Sequence, residues 1–383
     1  MNQKKFFALA ATTVVVLAAG VWISMHRSSE QSDLGGALVF ADLKPALAEI
    51  TEVRFAKGDG SRTTLARSAD GWTVVERQFP ADAGRVRELA LNLAGLKVIE
   101  RKTQDPANYA KLGVEAPDSP TATSTLVEVV AGKKTWSLIV GKAAEGQSVY
   151  VRKPAEAGSF LAEPLITVDP DQKRWIDRLL TDIQGTSVHE IDVKPASGPA
   201  YQLTRPTRDA PDLAMVPVPR GRKVITPMSL GVHQTEALAA FNFDDVRATP
   251  TPAPAATDTA TYRTFDGQVI EFAGRREGDK AFVTVAARRD ADLAAKFAVP
   301  APAAPADPAA PATPAPDAKP AATPAAPTPA DKTVERLGAR ATGLEFEIPA
   351  YKYDTLFRKQ EELLEKKPDA AAGKPPPRKP HGS

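Results

Sequence analysis

The sequence contains no cysteine among its 383 residues. This absence excludes disulfides, thiolate metal sites, a cysteine nucleophile and a lipidated N-terminal cysteine. An excess of charge of one sign is also lacking, since 49 basic residues stand against 47 acidic ones. Nucleic-acid-binding proteins usually carry a basic patch or stripe. The densest basic run of the body, Arg220-Gly221-Arg222-Lys223, is short enough for a solvated loop, so we expect no nucleic-acid partner.

Sequence motifs for catalysis or metal binding are absent as well. The histidines, none of which forms a pair at metal-ligand spacing, are His26, His189, His233 and His381. Gly141-Lys142 and Gly146 lack the spacing of a phosphate loop. Asp244 and Asp245 are adjacent, so on a strand they would point to opposite faces. We therefore expect a non-enzymatic protein with no catalytic, cofactor-binding or metal site.

One long apolar run stands out at the N-terminus. Residues 6–25 carry no charged side chain and follow Lys4 and Lys5. A helix of about 20 residues at 1.5 Å per residue spans about 30 Å, the thickness of the hydrocarbon core of a bilayer. A cleaved signal peptide is the alternative, with Ala18-Ala19-Gly20 as its cleavage site, but the apolar run continues past that site. We therefore predict an uncleaved single-pass membrane anchor.

The charges beside this run predict its orientation. Two lysines precede it, and the residues that follow it include His26, Arg27, Glu30 and Asp33. The positive-inside rule places the N-terminus in the cytoplasm. No later segment approaches spanning length, so the rest of the chain would form a periplasmic body. We predict a bacterial inner-membrane protein that contacts the bilayer through residues 6–25.

The body reads as a series of short strands with intervening helices. In its first half, the strands predicted from apolar alternation and turn residues are residues 50–55, 62–67, 72–75, 125–130, 135–140 and 149–151. Asp82 is a predicted N-cap for a helix between the third and fourth strands. Asp169 and Asp171 lie in a predicted capping box that would start a helix extending to Leu180.

From residue 188 the same order of elements is repeated. The predicted strands are residues 188–193, 201–205, 213–218, 261–265, 269–272 and 281–285. A helix capped by Thr226 lies between the third and fourth of them, and a last helix is predicted for residues 355–366. The matching order favours an internal duplication. The alternative is that any α+β protein with several hairpins looks roughly repetitive.

Proline and alanine account for 25 of the 33 residues from Val299 to Asp331. Such a segment buries little surface, so we predict a disordered loop. The predicted fold class is α+β, with two similar units of antiparallel β-meanders and intervening helices, preceded by one transmembrane helix. The predicted divisions are residues 1–30 for the cytoplasmic start and anchor, 31–186 for the first unit, 187–366 for the second unit with its insertion 299–331, and 367–383 for a disordered basic tail.

Several segments of the first unit form a recognisable set. They are Asp70-Gly71-Trp72, Phe79-Pro80-Ala81-Asp82, Asn108-Tyr109-Ala110-Lys111-Leu112-Gly113-Val114-Glu115-Ala116-Pro117, Ile139-Val140-Gly141 and Val149-Tyr150-Val151-Arg152. With this set, the region from about residue 50 to about residue 180 resembles the bacterial domain of unknown function 4340 family. The resemblance implies an N-terminal membrane anchor and an accessory role beside transport systems of the ATP-binding-cassette (ABC) type. No catalytic residues are established for the family, so the resemblance assigns none to this sequence. The long Pro/Ala-rich insertion departs from the family pattern.

Together these patterns favour a non-enzymatic, membrane-anchored periplasmic accessory or scaffold protein. Through the resemblance, we expect it to be auxiliary to an ABC-type transport system, with transporter subunits as partners. A second hypothesis is a module that binds envelope glycan or lipid through aromatic side chains, and a third is an envelope hydrolase built from scattered carboxylates. Trp72, Trp136 and Trp175 lie within apolar patterns, which favours core positions over ligand platforms.

Overall fold

The computed structural model describes residues 35–225, 234–298 and 328–365. The chain forms two compact units, divided in the sequence between Asp177 and Arg178. The sequence pattern places this junction between residues 186 and 187. Each unit is built around one antiparallel β-sheet accompanied by a few short helices, as the predicted α+β class requires.

Several predicted features lie outside the described residues. They include the proposed membrane anchor at residues 6–25, most of the Pro/Ala-rich insertion, the basic tail, and the start of the second-unit helix predicted after Thr226. Within the described part of the chain, no helix is both long and apolar enough to cross a membrane.

From residue 35 onward, where its description begins, the first unit contains nine strands in one sheet. They are β1 Ile50–Lys57, β2 Arg62–Ser68, β3 Gly71–Val74, β4 Phe79–Pro80, β5 Lys97–Arg101, β6 Thr125–Ala131, β7 Lys134–Ala143, β8 Val149–Arg152 and β9 Ser159–Glu163. Their order across the sheet is β4-β3-β2-β1-β6-β7-β8-β9-β5. Burial alternates strictly along β6, because successive side chains of a strand point to opposite faces.

Short helices complete the first unit. They are α1 Leu43–Ala46, α2 Ala83–Ala94 and α3 Tyr109–Leu112, with 3-10 turns at Leu47–Glu49, Val75–Arg77, Pro106–Asn108 and Gln172–Arg174. The predicted N-cap Asp82 is confirmed, because its carboxylate accepts hydrogen bonds from the backbone N–H groups of Gly84 and Arg85. The inner side of α2 buries Val86, Leu89, Leu93 and Ala94.

The described residues of the second unit form ten strands. They are β10 Leu179–Thr181, β11 Val188–Lys194, β12 Tyr201–Thr204, β13 Ala214–Val216, β14 Phe241–Asn242, β15 Asp245–Ala248, β16 Asp258–Thr264, β17 Gln268–Glu277, β18 Lys280–Arg289 and β19 Leu344–Ile348. The helices are α4 Ala291–Lys296, α5 Pro329–Ala341 and α6 Ala350–Leu356, with 3-10 turns at Gly185–Ser187, Glu236–Leu238 and Gln360–Leu363. β10 pairs with β14, and the other eight strands form one sheet.

The two sheets repeat one strand order. In the second unit the order is β13-β12-β11-β16-β17-β18-β19-β15, which corresponds strand by strand to β3-β2-β1-β6-β7-β8-β9-β5 in the first. The β1–β6 ladder and the β11–β16 ladder shift register at the same place, between Ile50 and Glu52 and between Val188 and Glu190. A shared bulge inside a shared topology is more specific than a general resemblance between meanders.

A backbone pairing that we name the return clasp closes each unit. In the first unit the chain returns after β9 to the segment before α2. There Asp82 N donates to Trp175 O (2.7 Å) and Asp177 N donates to Pro80 O (2.9 Å). In the second unit, where the chain returns after α6, the corresponding pairs are Ile225 N to Leu363 O (3.0 Å) and Glu365 N to Lys223 O (2.8 Å).

A side-chain hydrogen bond supports each clasp. Thr63, near the start of β2, donates its hydroxyl to Pro170 O (2.5 Å). Tyr201, at the start of β12, donates to Arg358 O (2.8 Å) and accepts from Gln234 Nε2 (2.8 Å). Burial raises the pKa of Tyr201 to about 12, so the phenol keeps its proton and remains a donor at ordinary pH.

Two predicted helices are wrong. Residues 169–180 form the 3-10 turn Gln172–Arg174, and the chain beyond it becomes extended and enters β10. Residues 355–366 cover only the end of α6 and the 3-10 turn Gln360–Leu363 in their described part. In both units the return clasp requires an extended chain at this place, and that non-local pairing overrides the local helical pattern.

The predicted C-terminal limit of the insertion, residue 331, is also wrong. α5 begins at Pro329, and Thr328 and Asp331 form a capping box at its start. Asp331 also forms an ion pair with Arg289 Nε (2.7 Å). α5 packs against β18, which pairs with β19 at residues 281–283. The helix therefore covers β18 where its pairing with β19 has ended, as exposed strand edges usually require.

Replacing Tyr201 by phenylalanine tests the support of the second clasp. The change removes the donor to Arg358 O and leaves the buried amide of Gln234 without its acceptor. We expect the free energy of unfolding of the second unit to fall by about 1–3 kcal/mol, measured by urea denaturation. Tyr351, which is 66% exposed, provides the control Tyr351→Phe. Equal losses in the two variants would contradict the assignment.

Candidate functional site

Three of the segments that carry the family resemblance, residues 108–117, 139–141 and 149–152, come together in the first unit. The buried residues of this assembly are Tyr109, Val114 and Ile139. Packed against them are the half-buried residues Leu112, Leu126 and Tyr150. Ile139 lies opposite Leu126 on β6 and opposite Arg152 on β8, so these side chains share one face of the sheet. We name this assembly the Tyr109–Arg152 cluster.

Arg152 holds the cluster together from inside. Its guanidinium lies 4.5 Å from the centroid of the Tyr109 ring, a cation–π distance. Nε donates to Val114 O (2.9 Å), and Nη1 donates to Glu156 O (3.2 Å) and Pro154 O (3.4 Å). The residue is 6% exposed. Its donors are therefore engaged by carbonyl groups of the fold, which leaves little of the guanidinium for an external anion.

Two glycines let the α3 segment lie close to the sheet. Gly113 ends α3 with a left-handed φ of 68°. A Cβ atom on Gly141 would lie 2.5 Å from Leu112 O, so only glycine fits there without displacing the backbone. Lys142 Nζ donates to Lys111 O (3.1 Å) and Ala110 O (3.3 Å) at the end of the same helix. Gly141-Lys142 is thus a packing and capping pair.

A separate groove of about 740 Å³ opens elsewhere on the first unit. Its walls come from residues 38–42 before α1, the start of β7, and residues 153–156 after β8. Phe40 and Trp136 line it with rings that are mostly buried (8% and 6% exposed), and Lys134 and Lys153 lie nearby. The ammonium groups lie 5.9 Å from the Trp136 ring centroid and 5.7 Å from the Phe40 ring centroid, respectively. We name it the Phe40–Trp136 groove.

Asp42 is the polar centre of this groove. Its Oδ1 accepts from Trp136 Nε1 (2.8 Å) and its Oδ2 accepts from Lys134 Nζ (3.0 Å). The hydrogen bond from Trp136, followed by that from Lys134, holds the pKa of Asp42 below its ordinary value of 3.8. A carboxylate held ionised in this way is poorly suited to proton transfer near neutral pH. The arrangement suits binding of a ligand that has both an apolar face and polar groups.

A model of the family described as "Domain of unknown function (DUF4340)" matches residues 72–263, half of the chain. This chain belongs to the DUF4340 family. The match begins in β3 of the first unit and ends in β16 of the second, so it includes the whole Tyr109–Arg152 cluster. No curated protein matches the chain.

The structure describes one of the four histidines of this DUF4340 protein. His189 is buried in β11, where its Nδ1 lies 2.6 Å from Arg205 O and its ring contacts Phe265 and Phe297 at centroid distances of 5.1 and 4.6 Å. The other three histidines lie outside the described residues. Across the ranges that the structure describes, no group of three His, Cys, Asp or Glu side chains could hold a metal ion.

The acidic residues singled out by sequence have separate roles. Asp245 begins β15 and its Oδ1 accepts from Val246 N (2.9 Å), whereas Asp244 N donates to Glu347 O (2.8 Å). Asp171 caps the 3-10 turn that follows it. Asp169 forms an ion pair with Arg174 (Oδ2 to Nε, 3.1 Å). Asp169 and Asp171 line one small cleft together with Asp59, but there Asp169 is paired with Arg174 and Asp171 caps a turn.

Two of the three tryptophans considered as core residues are buried. Trp136 is 6% and Trp175 is 5% exposed. Trp175 stacks on Phe55 with 4.7 Å between ring centroids and donates to Asp169 O (2.7 Å). Trp72 is only half-buried. Sequence reasoning did not identify Asp42, because its partner Trp136 is 94 positions away and no local motif joins them.

Gly141→Ala tests the close approach in the Tyr109–Arg152 cluster. Because the added methyl group would meet the backbone at Leu112, we expect a loss of about 1–3 kcal/mol in the free energy of unfolding of the first unit. The control is Gly338→Ala in α5, where a Cβ would meet nothing within 4 Å. That change should stabilise by about 0.5–1 kcal/mol. A neutral Gly141→Ala variant would show that the segment can move away freely.

The pH dependence of the Phe40–Trp136 groove follows from Asp42. Because its folded pKa is lowered, ionised Asp42 stabilises the fold above the unfolded pKa, and this contribution is lost as pH falls through the folded value. The difference in fluorescence between wild type and Trp136→Phe isolates the indole. We expect its acid transition to have a midpoint below 3.8 and to vanish in Asp42→Asn. A transition unchanged by Asp42→Asn would exclude this carboxylate as its cause.

Proposed function

We propose that this DUF4340 protein is a non-enzymatic accessory or scaffold protein of the bacterial cell envelope. Residues 6–25 would anchor it in the inner membrane, with the N-terminus in the cytoplasm and the two units in the periplasm. Its partners would be membrane proteins, and the family resemblance favours subunits of an ABC-type transport system.

The observation that supports this proposal is that several residues of the family resemblance make contacts within the fold. Tyr109, Gly113, Gly141 and Arg152 form internal contacts, and Arg152 donates to backbone carbonyl groups. Catalytic residues must instead reach a substrate, directly or through one water molecule. A set of residues whose contacts are internal maintains a shape, and maintaining a shape is what a scaffold requires.

The membrane part of the proposal is supported by the apolar run of residues 6–25, which carries no charge and is long enough to span a bilayer. Lys4 and Lys5 on one side favour the proposed orientation. If a signal peptidase cut after Ala18-Ala19-Gly20 instead, the same body would be released into the periplasm without an anchor.

A second candidate is a module that binds envelope glycan or lipid. The Phe40–Trp136 groove favours it, since an open groove that presents the exposed carboxylate of Asp42 and two lysines suits the polar groups of a ligand. The third candidate, an envelope hydrolase, has weaker support. Glu190 and Asp192 lie close together, but both bind the guanidinium of Arg263, which offsets one of their two negative charges.

Co-purification after mild cross-linking of native membranes tests the proposal. A C-terminally tagged full chain is solubilised in detergent and its partners are identified by mass spectrometry, beside a variant lacking residues 1–30. We expect transporter subunits with the anchored protein and far fewer with the anchorless one, because the anchor confines both partners to one bilayer. Enrichment of wall- or glycan-handling proteins alone would favour the second candidate. Turnover of an envelope substrate that one point mutation abolishes would establish an enzyme.

A further inference from the structure

A second groove of about 480 Å³ lies on the first unit between α2, β3 and the chain before β1. Its lining is apolar apart from two arginines, and the residues that matter here are Leu47, Trp72, Ala90, Leu91, Arg67 and Arg87. We name it the Trp72–Leu91 groove. None of the contacts that maintain the Tyr109–Arg152 cluster involves these side chains.

Two large apolar residues of this groove are accessible to solvent. Leu91 is 53% exposed, and Trp72 is half-buried where the other two described tryptophans are buried. α2 already buries Val86, Leu89 and Leu93 on its inner side, so Leu91 adds nothing to that packing. A tryptophan and a leucine left accessible side by side are typical of a surface that another molecule covers.

The charges of the groove are of one sign. Arg67 and Arg87 are the only charged residues in its lining, and both are exposed. Arg67 donates to Ala48 O (2.9 Å), but within the described residues neither arginine forms an ion pair with a carboxylate. Other arginines of the chain, such as Arg263 and Arg275, are paired with carboxylates. The groove therefore presents two guanidinium groups whose charge its own unit leaves unneutralised.

The geometry favours a polypeptide as the occupant. Ala83, Arg87 and Leu91 are spaced by four residues along α2, so they form one row over about two helical turns. A row of that length beside an open groove matches an amphipathic helix or strand of a partner. Guanidinium groups bind carboxylates in bidentate geometry, so the complementary segment is acidic.

We propose that the Trp72–Leu91 groove docks an acidic amphipathic segment of a partner protein. The segment places an apolar side chain against Trp72 and Leu91, and its carboxylates bind Arg67 and Arg87. The proposal rests on the accessory function proposed above and gives the chemistry of the partner surface. It assigns partner recognition to the first unit, at a site separate from the Phe40–Trp136 groove.

Defined peptides test the groove without knowledge of the partner. The probe is a fluorescein-labelled peptide of about three helical turns with leucines on one face and glutamates beside them. One comparison peptide replaces glutamate by lysine, and another replaces leucine by serine. Fluorescence anisotropy with the full chain in detergent should give at least about tenfold tighter binding of the acidic leucine peptide than of either comparison. Equal binding of all three peptides would overturn the proposal.

Matched variants locate the binding site. Leu91→Ser and Arg87→Glu should each weaken binding of the acidic peptide about tenfold, and Arg67→Glu should act in the same direction. The controls are Arg62→Glu, an exposed arginine on the same strand as Arg67, and Ile99→Ser, a leucine-sized apolar residue that is 41% exposed. Circular dichroism confirms that each variant is folded. Losses as large in the controls as in the groove variants would overturn the site.

Two further experiments distinguish a polypeptide partner from a lipid surface, and test the groove separately from the accessory function. Binding of anionic phosphatidylglycerol vesicles that depends on Arg67, Arg87 and Leu91, without selective peptide binding, would replace the polypeptide by a lipid surface and overturn the proposal. In the cross-linked membranes, Arg87→Glu should lose the partners that wild type and Arg62→Glu retain. Retention of those partners by Arg87→Glu would overturn the groove while leaving the accessory function intact. If wild type itself co-purified with no partner, that result would count against the accessory function alone, because the peptide-binding experiment tests the groove independently.

Discussion

The return clasp is the interaction on which each unit depends. It joins the end of a unit to the short segment that follows the unit's first strands, such as Pro80 and Asp82 in the first unit. The chain between the two joined segments forms a loop that contains most of the strands of the sheet. Closing such a loop has an entropic cost, which backbone hydrogen bonds and buried side chains must offset. In the first unit the returning chain brings Trp175 onto Phe55, and in the second it buries Leu363 and Leu364. The clasp therefore fixes the core as well as the topology.

The two units complete this common plan with different segments. In the first, α3 and the chain around it lie in the connection from β5 to β6 and pack against Ile139. In the second, the corresponding connection from β15 to β16 contains no helix, and α5 lies instead in the connection from β18 to β19. A repeated sheet has the same open surfaces to cover each time, but any connection that ends nearby can cover them. The Tyr109–Arg152 cluster is thus a property of the first unit and not of the shared plan.

Local signals predicted much of this architecture, and non-local contacts account for the failures. Alternation of apolar residues gave the strands, and Asp82 gave the start of α2, because both are read within a few residues. The extended chain at Trp175 could not be read in this way, since its conformation is set by Pro80 and Asp82 more than ninety positions away. Thr328 and Asp331 did carry a readable capping signal, but the surrounding Pro/Ala composition outweighed it. The link between Asp42 and Trp136 left no sequence pattern at all.

The boundaries of the family match bear on what the two grooves do. Phe40 and Asp42 precede residue 72, where the DUF4340 match begins, whereas Trp72, Arg87 and Leu91 lie within it. The Phe40–Trp136 groove is therefore built partly from a segment that precedes the family match. The Trp72–Leu91 groove takes Trp72 and its α2 residues from the matched region, whereas Arg67 and the residues before β1 that line it precede the match. If accessory proteins of this family share a way of meeting their partners, the physical place for it is the accessible face of α2.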